Sequence, residues 1–258
     1  MRNSYAVVTG ASSGIGAEFA RRLANEGYHL ILVARRGERL MELAEELAKQ
    51  GTDSTIITAD LSKKKECLRL MGEIDSKKIG IFINNAGFGQ CGLFADTDLN
   101  REMEMINVNV RAMHILTKLV LKKMQAQGGG YILNVASSAG LLAAGPYMAA
   151  YYATKAYVTS LTRAIAQELK EQGSNVYIGA LCPGPVDTEF NKVANVSFAL
   201  NGITPEECVD CAIRGMKRRR TLIVPTVTMK AATTMGRLIP QSLCIKMAGM
   251  QQKKKFDL

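Results

Sequence analysis

Residues 5–16, Tyr5-Ala6-Val7-Val8-Thr9-Gly10-Ala11-Ser12-Ser13-Gly14-Ile15-Gly16, decide the fold. Tyr5 to Thr9 is an apolar, β-branched run that reads as a buried strand. It breaks into a glycine-rich turn that opens directly into an amphipathic stretch from Gly14 to Glu26. Such a junction aims backbone N–H groups and the positive end of a helix at one point, where an anion such as a dinucleotide pyrophosphate fits. Gly10 permits the tight exit from the strand, Gly14 lets backbone approach the ligand, and Gly16 lets the helix pack close. Ser12, Ser13 and Ile15 complete the turn as candidate cofactor contacts. The G-x-x-x-G-x-G spacing is wider than G-x-G-x-x-G. A glycine-rich turn can be merely structural, so its place after the first strand of a βαβ unit carries the reading.

Working outward, runs rich in Val, Ile and Leu alternate with helical patterns. Strands are expected at Tyr5 to Thr9, His29 to Ala34, Ser54 to Ala59, Ile79 to Asn84, Gly130 to Ala136, Asn175 to Cys182 and Thr221 to Val224. Helices are expected at Gly14 to Glu26, Gly37 to Gln50, Lys63 to Asp75, Leu99 to Gln127, Ala150 to Gln172 and Pro205 to Arg214. This alternation predicts an α/β fold: a Rossmann-like, doubly wound parallel sheet of about seven strands with helices on both faces, a three-layer sandwich. Residues 1–225 form one domain. Residues 226–258 form a C-terminal extension with four Met from Thr226 to Met250, read as a lid, a partner-facing helix or a surface-bound amphipathic segment.

Composition narrows the function classes. Of 258 residues, 47% are hydrophobic and 22% charged, which excludes a disordered chain. No apolar run approaches the roughly 20 residues a membrane span needs, and the first residues lead straight into a strand without a signal peptide. The expected compartment is cytoplasmic. Six Cys, at 67, 91, 182, 208, 211 and 244, lack a disulfide framework and read as free thiols. Cys208 and Cys211 make one C-x-x-C, but the chain's His residues are only His29 and His114, so no metal site is expected. The formal charge of +10 is concentrated in Lys217 to Arg220 and Lys253 to Lys255. A solvated face or tail explains it, with an anionic cofactor, an acidic substrate or weak contact with a membrane surface as rivals. With no stacking series of aromatics and no reading helix, nucleic acid is not an expected partner.

Further motifs fall at strand ends, where open α/β sheets bind ligands. After the second strand, where NAD-binding proteins carry an acid, stand Arg35 and Arg36. Two guanidiniums suit a 2′-phosphate, favouring NADP(H) with NAD(H) as the alternative. Asp60, followed by Leu61, either accepts from the adenine amino group or caps the next helix. Asn85, Ala86 and Gly87 follow the fourth strand, and Ser137 and Ser138 the fifth. Tyr151 and Lys155 lie one turn apart on one helix face.

Together these segments resemble the short-chain dehydrogenase/reductase family: Thr9 to Gly16, Asn84 to Gly87, Asn109, Ser138, Tyr151 to Lys155 and Pro183-Gly184-Pro185-Val186-Asp187-Thr188 stand in family order. The resemblance implies hydride transfer between nicotinamide and a carbonyl or alcohol carbon. It implies Tyr151 as acid/base, Ser138 holding the substrate oxygen at a spacing of 13 residues, and Asn109 maintaining a water relay to Lys155. Pro183 and Gly184 would bend the chain over the site, and Val186 and Thr188 would contact the nicotinamide amide. A phenol is a poor base at neutral pH, so Lys155 and the oxidised nicotinamide are expected to lower the Tyr151 pKa.

The family's substrate loop corresponds to residues 187–204, mostly apolar here. With Leu141, Leu142, Ala143, Ala144, Tyr147 and Met148 it predicts a hydrophobic pocket for a ketone or alcohol on a hydroxysteroid or bile-acid-like skeleton, or for a 3-oxoacyl thioester. A non-catalytic dinucleotide sensor is the reading from a different class. The resemblance also implies a homodimer or homotetramer pairing through the long helices Leu99 to Gln127 and Ala150 to Gln172.

Overall fold

The computed structural model describes residues 4–189, 202–236 and 238–253. Most of the expected substrate loop therefore lies outside the described residues. Seven strands, β1 (Tyr5–Thr9), β2 (His29–Ala34), β3 (Ser54–Thr58), β4 (Ile79–Asn84), β5 (Gly130–Val135), β6 (Val176–Leu181) and β7 (Leu222–Ile223), form one sheet in the order β3-β2-β1-β4-β5-β6-β7. Every pairing is parallel.

Successive strand residues point to opposite faces, and here both faces are buried, which is why the strands are apolar runs rather than alternating ones. Ala6 and Val8 of β1, with Leu30 and Leu32 of β2, pack with α1 (Gly14–Asn25), α2 (Gly37–Lys49) and the helix Pro205–Lys217, through Phe19, Leu23, Leu40 and Ile213. Val7, Ile31, Val33 and Phe82 pack on the other face against α3 (Lys64–Glu73), α5 (Met113–Ala126) and α6 (Ala149–Glu171), through Leu70, Leu116, Val120 and Leu169. Each fully buried side chain of this kind contributes about 1.5–3 kcal/mol.

The expected single helix from Leu99 to Gln127 is interrupted. It comprises α4 (Leu99–Ile106), a π-helical segment at Asn107–Ala112, and α5. Asn107-Val108-Asn109-Val110 is a poor helix-forming run, and the amide of Asn109 bonds outside its own helix, so the wider turn is held by tertiary contacts.

The helix Pro205–Lys217, here α7, begins with a capping box in which Thr204 and Glu207 satisfy each other's backbone N–H groups. Cys208 and Cys211 both lie on it, and burial pushes the Cys208 thiol up to about 12. Two further helices follow β7: α8 (Val227–Met235) and α9 (Gln241–Lys253). Among the described residues no helix is long and apolar enough to cross a membrane.

Candidate active site

Strand order reverses between β1 and β4, leaving a crevice at their carboxyl ends. Thr9 ties that point together. Its hydroxyl accepts from Asn85 N at 2.9 Å and Ala86 N at 3.0 Å, while Asn85 Nδ2 donates to the Thr9 carbonyl at 2.9 Å. Gly10 turns the chain at φ 67°, a left-handed conformation that favours glycine. A β-carbon at Gly16 would lie 2.2 Å from the Gly10 carbonyl oxygen, so the first turn of α1 seats against the loop only with glycine there.

The crevice opens into a chamber of about 1140 Å³. Its walls include Gly10, Ser12, Ser13, Gly14, Ile15, Arg35, Arg36, Asp60, Leu61, Asn85, Ala86, Gly87, Pro183, Gly184, Val186 and Thr188, with Ser138, Tyr151 and Lys155. Of the residues singled out in the sequence, Gly16 and Asn109 are not in the wall, and of the expected apolar lining Leu142 and Met148 are but Leu141, Ala143, Ala144 and Tyr147 are not. Gly16 lies behind the turn, and Asn109 sits behind Phe88 and Gly87. The chamber thus combines a backbone cradle at a helix start with two guanidiniums at one end, a donor set that fits a phosphorylated dinucleotide.

Arg36 donates to Ser13 Oγ at 2.7 Å and Ser12 Oγ at 3.1 Å, and pairs with Glu189 at 3.0 Å. Arg39, which the sequence reading did not single out, reaches the same carboxylate at 3.1 Å. Arg35 turns to Glu104 at 2.5 Å. For Asp60 the structure favours a local role: it accepts from Ser62 N and Oγ at 3.1 and 2.7 Å and so braces the turn before α3 while still lining the chamber. Burial opposes its ionisation, but the Ser62 hydrogen bonds and Lys63 outweigh burial and hold the carboxyl below its ordinary value.

At the other pole Tyr151 and Lys155 project from α6, both buried. The hydroxyl bonded to the Tyr151 phenol is that of Ser137, not Ser138. Ser138 instead donates its backbone N–H to the Pro183 carbonyl at 2.8 Å. The 13-residue spacing could not separate two adjacent serines, because the loop between Gly140 and Ala149, with Tyr147 at φ 66°, absorbs one residue without moving α6. Lys155 Nζ donates to the Val135 carbonyl at 2.9 Å and lies 5.8 Å from the Tyr151 ring centre.

Burial pushes the Tyr151 phenol well above its ordinary range, opposed by its bond with Ser137, and burial pulls Lys155 down to about 8. Desolvation is the largest influence on both groups.

Asn109 is buried in the π-helical segment. Its Oδ1 accepts from Phe88 N at 3.1 Å, and its Nδ2 donates to Phe88 O at 2.8 Å and Thr154 Oγ1 at 3.2 Å. The side chain is engaged with these partners. A β-carbon at Gly87 would lie 2.8 Å from Asn109 Oδ1 and 3.5 Å from Lys155 Nζ, so glycine is what lets the two approach.

The roof comes from the C-terminal extension, whose helices the sequence did not resolve. Met229 of α8 and Cys244, Met247, Ala248 and Gln252 of α9 line the chamber. Gln252 Nε2 donates to the Tyr152 hydroxyl at 2.8 Å across 100 residues of sequence. No local signal announces such a contact.

Residues 4–197 match the family model described as short chain dehydrogenase. The chain belongs to the short-chain dehydrogenase family. Its members are oxidoreductases acting on CH–OH or ketone groups, and so is this chain. Among relatives, a very-long-chain 3-oxoacyl-CoA reductase of Anas platyrhynchos is 33% identical over 216 residues, 81% of this chain and 68% of that protein. A short-chain dehydrogenase from Sphingobium yanoikuyae, solved with NADPH, superposes with TM-score 0.82 at 32% identity, covering 93% of this chain and 94% of that one. A bulky-bulky ketone specific alcohol dehydrogenase from Comamonas testosteroni does so with TM-score 0.79 at 29% identity, covering 92% and 93%.

Proposed function

We propose that this short-chain dehydrogenase is an NADP(H)-dependent reductase of a ketone on a bulky apolar substrate of hydroxysteroid or bile-acid kind. The observation that carries the reading is the chamber itself: a phosphate-cradling turn with Arg36 at one end, Tyr151 and Ser137 at the other, and a roof of methionines. The Comamonas relative's bulky ketones support the substrate class, and the Sphingobium relative's NADPH supports the cofactor.

A nicotinamide dinucleotide, when bound, supplies the hydride. The chain's residues do the rest. The turn Gly10 to Gly16 and Asn85 to Gly87 hold the dinucleotide, and Arg36 receives its 2′-phosphate. Pro183, Gly184, Val186 and Thr188 cover its ring end. Ser137 donates a hydrogen bond to the substrate oxygen, and neutral Tyr151 gives that oxygen a proton as negative charge grows on it. Lys155 returns a proton toward the phenol. Asn109 positions the Phe88 backbone and Thr154, and thereby the wall beside Lys155.

The test is a panel of steroid, bile-acid and small polar ketones with NADPH and with NADH, read by loss of cofactor absorbance. Turnover confined to small polar ketones overturns the substrate class. A 3-oxoacyl thioester is the second reading, favoured by the Anas relative, and belongs in the same panel. Tyr151→Phe separates enzyme from sensor: nucleotide binding persists while turnover collapses. For assembly we propose pairing of two or four copies through α5 and α6, to be checked by sedimentation velocity.

A further inference from the structure

Between Pro225 and Phe256 the sequence holds six Lys and Arg and no Asp or Glu. Among its described residues Lys230, Lys246 and Lys253 pair with no carboxylate, whereas Lys217, which precedes β7 and lies outside this stretch, pairs with Glu26 at 2.9 Å. The positive charge is therefore almost uncompensated.

The inner side of α9 is fixed. Gln252 bonds to Tyr152, and a β-carbon at buried Gly249 would sit 3.2 Å from the Pro146 ring. That anchoring dictates what faces out. Leu243, Lys246, Met247, Met250 and Lys253 recur at three- and four-residue intervals, share one side of the helix, and are all exposed. Val227 at the start of α8 is 84% exposed, and Leu238 between the helices 86%. An apolar stripe with interspersed lysines and no acid has the chemistry of a helix lying in a lipid interface.

Two further observations select the occupant. Met247 and Met250 are about half exposed, at 51% and 52%, and both also line the chamber, so the outward apolar face is continuous with the substrate wall. A second copy of this chain is a poor match, since a two-fold pairing would set the same cationic face against itself.

We propose that the α8–α9 face docks on an anionic lipid surface, and that the chamber takes its apolar substrate from that surface. The delivery half rests on the reductase reading above; the docking half does not.

The experiment floats the full-length protein with vesicles of phosphatidylcholine alone and of phosphatidylcholine mixed equally with phosphatidylglycerol. Binding is expected to the mixed vesicles, with release in high salt. Replacing both Lys230→Gln and Lys246→Gln should weaken it by about 20-fold, and Leu238→Ser by a few-fold, while turnover of a small water-soluble ketone stays unchanged. Equal binding to both vesicle types, or undiminished binding of the lysine variant, overturns docking. So does a dimer that Leu238→Glu dissociates, since the face would then belong to a second copy. Turnover of a vesicle-dissolved ketone that the lysine variant performs as fast as the wild type overturns delivery. Absence of turnover with every ketone sinks the reductase reading and delivery with it, and leaves the flotation result standing.

Discussion

Arg36 Nη1 lies 3.0 Å from Glu189 Oε2, while Nη2 of the same guanidinium donates to the hydroxyls of Ser12 and Ser13. A carboxylate thus holds the group proposed to receive the cofactor's 2′-phosphate, and the arginine in turn keeps the Glu189 carboxyl below its ordinary value. Phosphate and carboxylate compete for one fork. Glu189→Gln should lower the KM for NADPH several-fold. Arg36→Leu should raise it by roughly 10–100-fold, as expected for a lost charged hydrogen bond, with the KM for NADH little changed. Steady-state kinetics with both cofactors checks this, and equal effects on the two would remove Arg36 from the phosphate site.

The bond between Ser137 and Tyr151 is what supports the first of the two serines as the proposed substrate-oxygen donor. Ser137→Ala should reduce kcat by about 10²–10³, the usual cost of one oxyanion donor, and Ser138→Ala only a few-fold. If Ser138→Ala is the crippled variant, Ser138 is the donor and Ser137 is not.

Lys155 predicts a pH effect on stability with a defined sign. Its folded value is about 8, against an ordinary 10.5, so between about 8 and 10 the unfolded chain binds more protons and this group's contribution to stability rises with pH. Below about 8 the buried ammonium imposes its full cost. Lys155→Met should therefore be more stable than wild type near pH 7, by about 1–3 kcal/mol, with the advantage shrinking toward about pH 10. Above that, Tyr151 acts in the opposite direction, because its raised folded pKa keeps a proton the unfolded chain releases. Urea unfolding of both proteins across the range provides the measurement.

Gly16→Ala forces a β-carbon to within 2.2 Å of the Gly10 carbonyl oxygen, so the turn must open. A loss of about 1–3 kcal/mol in stability is expected, with dinucleotide affinity falling at least tenfold. Calorimetric titration of the folded variant would expose an error if affinity held.

Gln252→Leu removes the bond to Tyr152 and should cost about 1 kcal/mol, felt locally as faster amide exchange in α9 while β1 and β4 keep their protection. Uniform change across the sheet would show that α9 is not a separate unit.

What could be read from residues alone follows the range of the interactions. Tyr5 to Gly16 specifies strand, turn and helix within twelve residues, and the apolar runs gave six further strands because burial on both faces leaves an unmistakable pattern. The crevice followed from strand order. Ser137 against Ser138 was not decidable, since a loop of free length separates them from Tyr151. The depressed Lys155 and raised Tyr151 depend on how much protein covers them, which no spacing encodes. Arg39 and Gln252 were missed because each acts through a partner 100 residues or more away.

Val186 and Ile203 pair as an isolated parallel bridge, reinforced by Asp187 N to Ile203 O at 3.0 Å and Ile203 N to Pro185 O at 3.2 Å. The bridge fixes the two ends between which residues 190–201 run, and β6, α7 and the proton-donating pole are anchored by bonds among the described residues. A laboratory library confined to 190–201 is therefore expected to change which substrates are accepted while sparing Thr188 and Glu189 of the chamber.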